Sequence, residues 1–300
     1  MKNYSPKIAA QRAVRANVHH GLSRKSFPDH AAKAVTSVLT EVAHTSALTG
    51  YARQLKLSTG KHLKNSTTQD ARQYLKTIAT AKRQSTVDLA RQAISLHIHP
   101  GDPLPYICSE VPTVARNRAY SPAQIQLLCA EADPFMRVSI ALASDAGLRE
   151  MELLTLARFS SLTPSDRRWH EGRFFGREDD VPLVVHGKGG LVREVRVSQE
   201  HAEKLKLAER IHPVRIDHRG AHLTSHFDLV GGHRFSSKFG RLSQRVLGFS
   251  HGGHGLRHSF AQRRRDELLC LGFCLNEAIQ ILSHELGHFA TKNTLAYLRD

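Results

Sequence analysis

Arg149 and Glu152 stand three residues apart in DAGLREMELLTL, and His254 and Arg257 stand three apart in HGLRHSFAQ. On a helix that spacing puts two side chains on one face, one turn apart. A guanidinium keeps its charge at any relevant pH and grips phosphoester oxygens in fixed geometry. Two of them can serve as the charge sink that a phosphoryl-transfer reaction otherwise finds in a metal ion. Gly252 and Gly253, just ahead of His254, allow close backbone approach, and a helix amino terminus favours a phosphate. Lys188 sits in a Gly-Lys-Gly-Gly turn between two β-rich runs, and His288 precedes Tyr297 by nine residues. A tyrosine hydroxyl, with an ordinary pKa near 10, becomes a nucleophile only beside cations and a base. Each segment also has a plain reading, as a surface arginine on an amphipathic helix or a solvated lysine guarding a hairpin edge.

Taken in order, these four segments resemble the motif boxes of the tyrosine recombinases of the phage-integrase kind. Arg149 falls on the family's catalytic arginine and Glu152 on the supporting acidic residue. Lys188 matches the lysine that a β-hairpin turn delivers to the scissile step. His254 and Arg257 match the His-x-x-Arg box, in which His258 belongs to the sequence but not to the chemistry. His288 and Tyr297 match the Leu-Gly-His box and the nucleophile. The resemblance implies a helical amino-terminal DNA-clamping domain joined to a mixed catalytic domain, hence a mostly α protein with a small antiparallel sheet. It implies DNA cleavage and rejoining through a 3′-phosphotyrosyl link at Tyr297, with Lys188 protonating the departing 5′ oxygen and His254 as base. His288 would bond the phosphate or orient Tyr297. No metal and no cofactor is implied. The implied partners are double-stranded DNA carrying a specific site, three further protomers in a homotetramer on two sites, and an accessory directionality factor. The setting would be a mobile genetic element in a bacterial cytoplasm, on the nucleoid. Three residues follow Tyr297, where members of the family often carry a further segment that docks on a neighbouring protomer. A departure from the usual coupling between protomers is therefore expected, and no separate arm-binding domain is expected.

Other readings compete. HELGH, residues 284–288, satisfies the His-Glu-x-x-His pattern of zinc proteases, with Glu285 as base. A third ligand is then needed, and the 12 residues after His288 contain no His, Cys or Glu. Thr294 occupies the place where one subclass puts a histidine, and an upstream ligand among the 20 histidines stays open. A DNA-binding relative that keeps the fold but not the activity is a second alternative, and a type IB topoisomerase, with little site preference, a third. Cys270 and Cys274, four apart, read as buried thiols on one face of a core helix rather than as metal ligands.

The elements that must carry these residues are mostly helical. Apolar spacing predicts helices over His30–Leu57, Thr68–Thr80 and Thr86–His97. The five prolines between Pro100 and Pro122 mark a linker, with a boundary near residue 115. Beyond it Ser121 caps a helix that opens on Pro122, and others are expected over Pro134–Ala146, from Arg149, and over Ser198–Arg210, Ser236–Val246, His254–Leu268, Asn276–Leu282 and Thr291–Leu298. VPLVVHGKGGLVREVRV is the one convincing β signal, a hairpin. The stretch before it, RFSSLTPSDRRWHEGRFFGREDD, is long for the family. The expected organisation is a flexible basic arm over 1–28, a helical DNA-binding domain over 29–115 and a catalytic domain over 116–300.

Charge supports that division. Residues 1–120 hold 18 Lys and Arg against 6 Asp and Glu, and the remainder 25 against 21, for a net charge of +16. A basic part joined to a nearly balanced one suits a polyanion, with an anionic membrane surface as the alternative. The longest apolar run falls short of the roughly 18 residues a membrane span requires. The basic amino terminus lacks a secretory signal's apolar core and reads secondarily as a transit peptide. Four scattered cysteines form no disulfide framework, as in a reducing cytosol.

Overall fold

Ser121 accepts the Gln124 amide while Gln124 reaches back to Ser121, and Pro122 occupies the first helical turn, so α5 (Pro122–Ala130) starts where its sequence dictates. Thr67 and Asp70 form the same reciprocal cap on α3 (Thr68–Ala79), and Asp133 caps α6 (Pro134–Asp145). The computed structural model describes residues 5–20, 34–112, 116–218 and 221–299. The chain divides into two compact units, residues 1–114 with 219–221, and residues 115–218 with 222–300.

The first unit is helical. It contains α1 (Pro6–Arg15), α2 (Val38–Thr59), α3 and α4 (Gln84–His97). Leu48, Tyr51 and Ala52 of α2 meet Ala71 and Leu75 of α3 and Val87, Ala90 and Ile94 of α4 in one apolar core. Ala10 and Val14 of α1 are buried in it too. Within the arm expected over 1–28, residues 6–15 thus form a short helix, which two apolar residues one turn apart pin down. Residues 1–4 and 21–28 of that arm lie outside the described residues. The helix expected over His30–Leu57 begins at Val38, after Ser37.

The second unit packs α5, α6, α8 (Gln199–Lys206) and α9 (Gly232–Leu247) around a three-stranded sheet. Its strand order is β1 (Ala157–Arg158), β2 (Val181–His186), β3 (Val192–Val197), all antiparallel. The hairpin pairs His186 with Val192 at the turn and Val181 with Val197 at the open end. Leu183, Val185, Val195 and Val197 face the main core, while α10 (His254–Cys270) and α11 (Leu275–Glu285) share a second cluster with Tyr297. The long stretch ahead of the hairpin is anchored by cation–aromatic contacts, with the Arg173 guanidinium 4.2 Å from the Trp169 ring.

Three readings need correction. The helix expected from Arg149 shrinks to α7 (Glu152–Thr155). Past α8 the chain forms a second, two-stranded sheet, β4 (Glu209–His218) with β5 (Ala221–Phe227), where no strand was expected. β4 is largely exposed, with Ile211 at 93%, so it has no buried face to impose an alternating pattern, and it contains Pro213, a residue that strand interiors disfavour. Cys270 and Cys274 are both exposed and do not share a helix, since α10 ends at Cys270 and Cys274 is the amino-terminal cap of α11. Among the described residues, no helix is long and apolar enough to cross a membrane.

Candidate active site

Glu152 is the hub. It opens α7 and reaches back, so that its Oε2 accepts the Arg149 main-chain N–H at 2.8 Å and its Oε1 accepts Arg149 Nη1 at 2.6 Å. Arg193 Nη2 donates to Oε2 at 2.8 Å, and Arg257 Nη1 lies 3.7 Å from the same oxygen. Burial is the largest influence on this carboxyl and pushes its pKa up, but Arg193, Arg257 and Arg149 outweigh it and hold the group far below the usual carboxylate range. Three cations thus converge on one anion, which leaves the cluster with a surplus of positive charge.

Arg257 projects from α10 into the interior and is fully buried. Its Nη1 donates to the carbonyl of Gly147, and its Nη2 to the Leu286 carbonyl at 2.5 Å. Among the described residues its Nε has no partner, an orphan donor of the kind an incoming anion oxygen would satisfy. Burial, then repulsion from Arg149, lowers its pKa to about 9 against the pull of Glu152. Gly147 holds φ +59, and a Cβ there would lie 2.4 Å from the Phe260 ring, so only glycine offers this carbonyl at this place. Arg149 is the more accessible arginine, with its side chain 24% exposed.

His288 lies between the arginines. Its Nε2 is 3.1 Å from Arg149 Nη2 and 3.5 Å from Arg257 Nη2, and its Nδ1 is 3.0 Å from Thr294 Oγ1. Burial and the guanidiniums of Arg257, Arg149 and Arg193 lower its pKa to about 3. Tyr297 follows α12 (Lys292–Leu295) and is 9% exposed. Its ring centroid is 5.3 Å from that of His254, 4.7 Å from His258 and 5.6 Å from His288, with Arg257 Cζ at 5.7 Å. His254 and His258 are both pushed down to about 4, chiefly by burial, with Arg257 the next cause for His254 and Arg118 for His258.

The structure therefore brings together Arg149, Glu152, His254, Arg257, His288 and Tyr297. Lys188 sits in the hairpin turn Lys188–Gly190, but its side chain lies outside the described residues. The base of that turn packs on the hub, since a Cβ on Gly187 would lie 2.9 Å from Glu152 Oε1. Sequence reasoning missed Arg193, which is buried on β3 and also donates through Nη1 to the Glu285 carbonyl at 2.6 Å. A signal was present: it is the inward position of an alternating strand, and a charge buried there needs a buried partner. His258 was set aside from the chemistry, yet its ring has the shortest centroid distance to Tyr297 of the three histidines.

The HELGH segment does not have the geometry of a metal-binding helix. α11 ends at Glu285, and Gly287 at φ +71 turns the chain before His288, so the two histidines do not share consecutive turns. Glu285 is buried and paired with Arg264 Nη2 at 2.9 Å, and it also accepts the Phe174 N–H at 3.0 Å. His284 Nδ1 accepts the His170 N–H at 2.9 Å. Among the described residues, no group of three His, Cys, Asp or Glu could hold a metal ion.

By sequence, no family model and no curated protein matches the chain. By structure it is similar to a XerH site-specific recombinase bound to a palindromic difH substrate in a post-cleavage complex, with a TM-score of 0.57 and 14% identity over 99% of this chain and 94% of that one. It is also similar to a lambda integrase tetramer bound to a Holliday junction, with a TM-score of 0.57 and 14% identity over 100% and 78%. A lambda integrase dimer bound to a COC′ core site gives 0.55 and 15% over 92% of each chain. The fold is that of the site-specific tyrosine recombinases, α+β with small sheets.

Proposed function

We propose that the chain is a site-specific DNA recombinase of the integrase kind, which cleaves and rejoins strands through a 3′-phosphotyrosyl intermediate at Tyr297. The observation that carries this reading is the placement of the Tyr297 ring against His254, His258, His288 and the Arg257 guanidinium, beside a cluster with more cations than anions. Arg149 and Arg257 would bind the non-bridging oxygens of the scissile phosphate, whose charge grows as the phenolic oxygen attacks. His254, held neutral, is free to take the phenolic proton, and the bound phosphodiester would raise its basicity by opposing the arginine field. Lys188, at the hairpin turn, would protonate the departing 5′ oxygen. His288 would orient Tyr297 and the arginine pair, and Glu152 would hold the three guanidiniums in place. Because the link to Tyr297 is itself a phosphoester, rejoining to a new strand needs no nucleotide hydrolysis.

The first unit and its basic sequence suit a duplex clamp, in which phosphate contacts set position and a few base contacts set the site. The similar recombinases are bound to DNA, one of them as a tetramer, which agrees with a homotetramer on two sites. An accessory directionality factor and a mobile genetic element, in a bacterial cytoplasm, complete the reading. The test mixes purified protein, in EDTA, with supercoiled plasmid carrying the DNA that flanks its gene. A detergent-stable protein–DNA adduct that forms with the wild type and not with Tyr297→Phe is the expected result. Tight DNA binding without an adduct would favour an inactive DNA-binding relative, and adducts on any DNA would favour a topoisomerase.

A further inference from the structure

We propose that Thr294 is a positioning residue that fixes the tautomer of His288, and so makes docking of the Tyr297 turn and ordering of the Arg149–Arg257 pair a single event. This rests on the recombinase reading above for its consequence, though not for its geometry. His288 Nε2 faces Arg149 Nη2 at 3.1 Å and Arg257 Nη2 at 3.5 Å. A guanidinium has donors only, so Nε2 must carry a lone pair and the single ring proton must sit on Nδ1. That proton meets Thr294 Oγ1 at 3.0 Å. Thr294 is 0% exposed, so water cannot take its place. The hydroxyl is itself held, 2.8 Å from Ser283 Oγ, which in turn donates to the Ile279 carbonyl at 2.6 Å.

Thr294 belongs to α12, and its carbonyl accepts the Tyr297 N–H at 2.9 Å. The turn that delivers the proposed nucleophile therefore also delivers the acceptor that sets His288. If that turn lifts away, Nδ1 loses its partner, and the other tautomer would set an N–H against two guanidiniums. Donor would then face donor, and the arginine pair would lose the group that spaces it. Tyr297 and its cation pair are thus ready together or not at all.

The test uses the full chain with 15N-labelled histidine and reads the ring nitrogens by NMR near pH 7, with the signals of His288 assigned by their loss in His288→Gln. Wild type and Thr294→Ser should show a protonated Nδ1 and a bare Nε2, whereas Thr294→Val, of nearly the same shape, should shift toward protonated Nε2. Adduct formation should fall about tenfold in Thr294→Val, the loss of roughly one net hydrogen bond, with DNA affinity unchanged and Thr294→Ser near wild type. A protonated Nε2 in the wild type, or an unchanged tautomer in folded Thr294→Val, overturns the proposal. Should Thr294→Val fail to fold, the wild-type and Thr294→Ser spectra still decide it. Expected spectra from a wild type that forms no adduct on its site would retain the geometry and remove the recombinase reading.

Discussion

Arg193 on β3 and Glu152 on α7 form a buried ion pair, 2.8 Å apart with each side chain 1% exposed, at the centre of a cluster that also takes in Arg149 and Arg257. The pair joins the hairpin to the turn that carries Arg149. Replacing Glu152 with Gln leaves three guanidiniums around a neutral group, two of them buried. Removing one partner of a buried pair costs about 3–5 kcal/mol. Denaturant unfolding of Glu152→Gln should show a loss of that order, and a loss below about 1 kcal/mol would mean that the cluster relaxes or hydrates.

Arg149 behaves differently because it is partly exposed and its removal leaves Glu152 still paired with Arg193. Arg149→Ala should therefore fold nearly as the wild type does, while adduct formation falls by about 10²–10³, the usual effect of removing one charge-stabilising donor. The thermal midpoint and the adduct rate, measured on one preparation, separate the two effects.

Acid should weaken the fold for a reason located in this site. His254 and His258 titrate near 4 and His288 near 3, against 6.5 in an unfolded chain. Between those values the unfolded chain binds more protons than the folded one, so stability is lost as pH falls from about 6.5 toward 4. His97, lowered to about 4 by burial and His44, adds to the same slope from the first unit. The thermal midpoint should drop across that window, and a combined His254→Asn, His258→Asn variant should show a shallower slope. An unchanged slope would assign the acid sensitivity elsewhere.

The corrected cysteine environment makes a simple measurement decisive. Cys108, Cys270 and Cys274 are exposed and Cys129 is partly buried. Burial also raises the Cys129 thiol pKa, which slows attack through the thiolate. A thiol reagent on the native protein should label three cysteines quickly and the fourth slowly. One fast thiol would restore the buried α10 face expected from the spacing.

The parts legible in the sequence were those with a local cause. Ser121 with Gln124, and the alternating Leu183, Val185, Val195 and Val197, write their structure into a few neighbouring residues. The order of the boxes supplied Arg149, Arg257, His288 and Tyr297, which the chain brings together across long separations. Arg193 stayed hidden because its partner is 41 residues away and a strand arginine usually faces water. The β4–β5 sheet was invisible for the opposite reason, since β4 is largely exposed and leaves no alternating pattern. The His-Glu-x-x-His alternative could be settled only by the backbone, since a pattern of letters carries no dihedral angle and Gly287 at φ +71 turns the chain where the motif requires a helix.

The separations have a further consequence. Arg149 meets His288 across 139 residues, Arg257 meets Gly147 across 110, and Arg193 meets Glu285 across 92. Such contacts close large loops and are among the last to form as a chain folds. A partly folded chain can own every residue of the site and still lack the site. On the proposed reading it would hold DNA through its basic sequence without the means to break it, and the capacity to cut would arrive only with the completed fold.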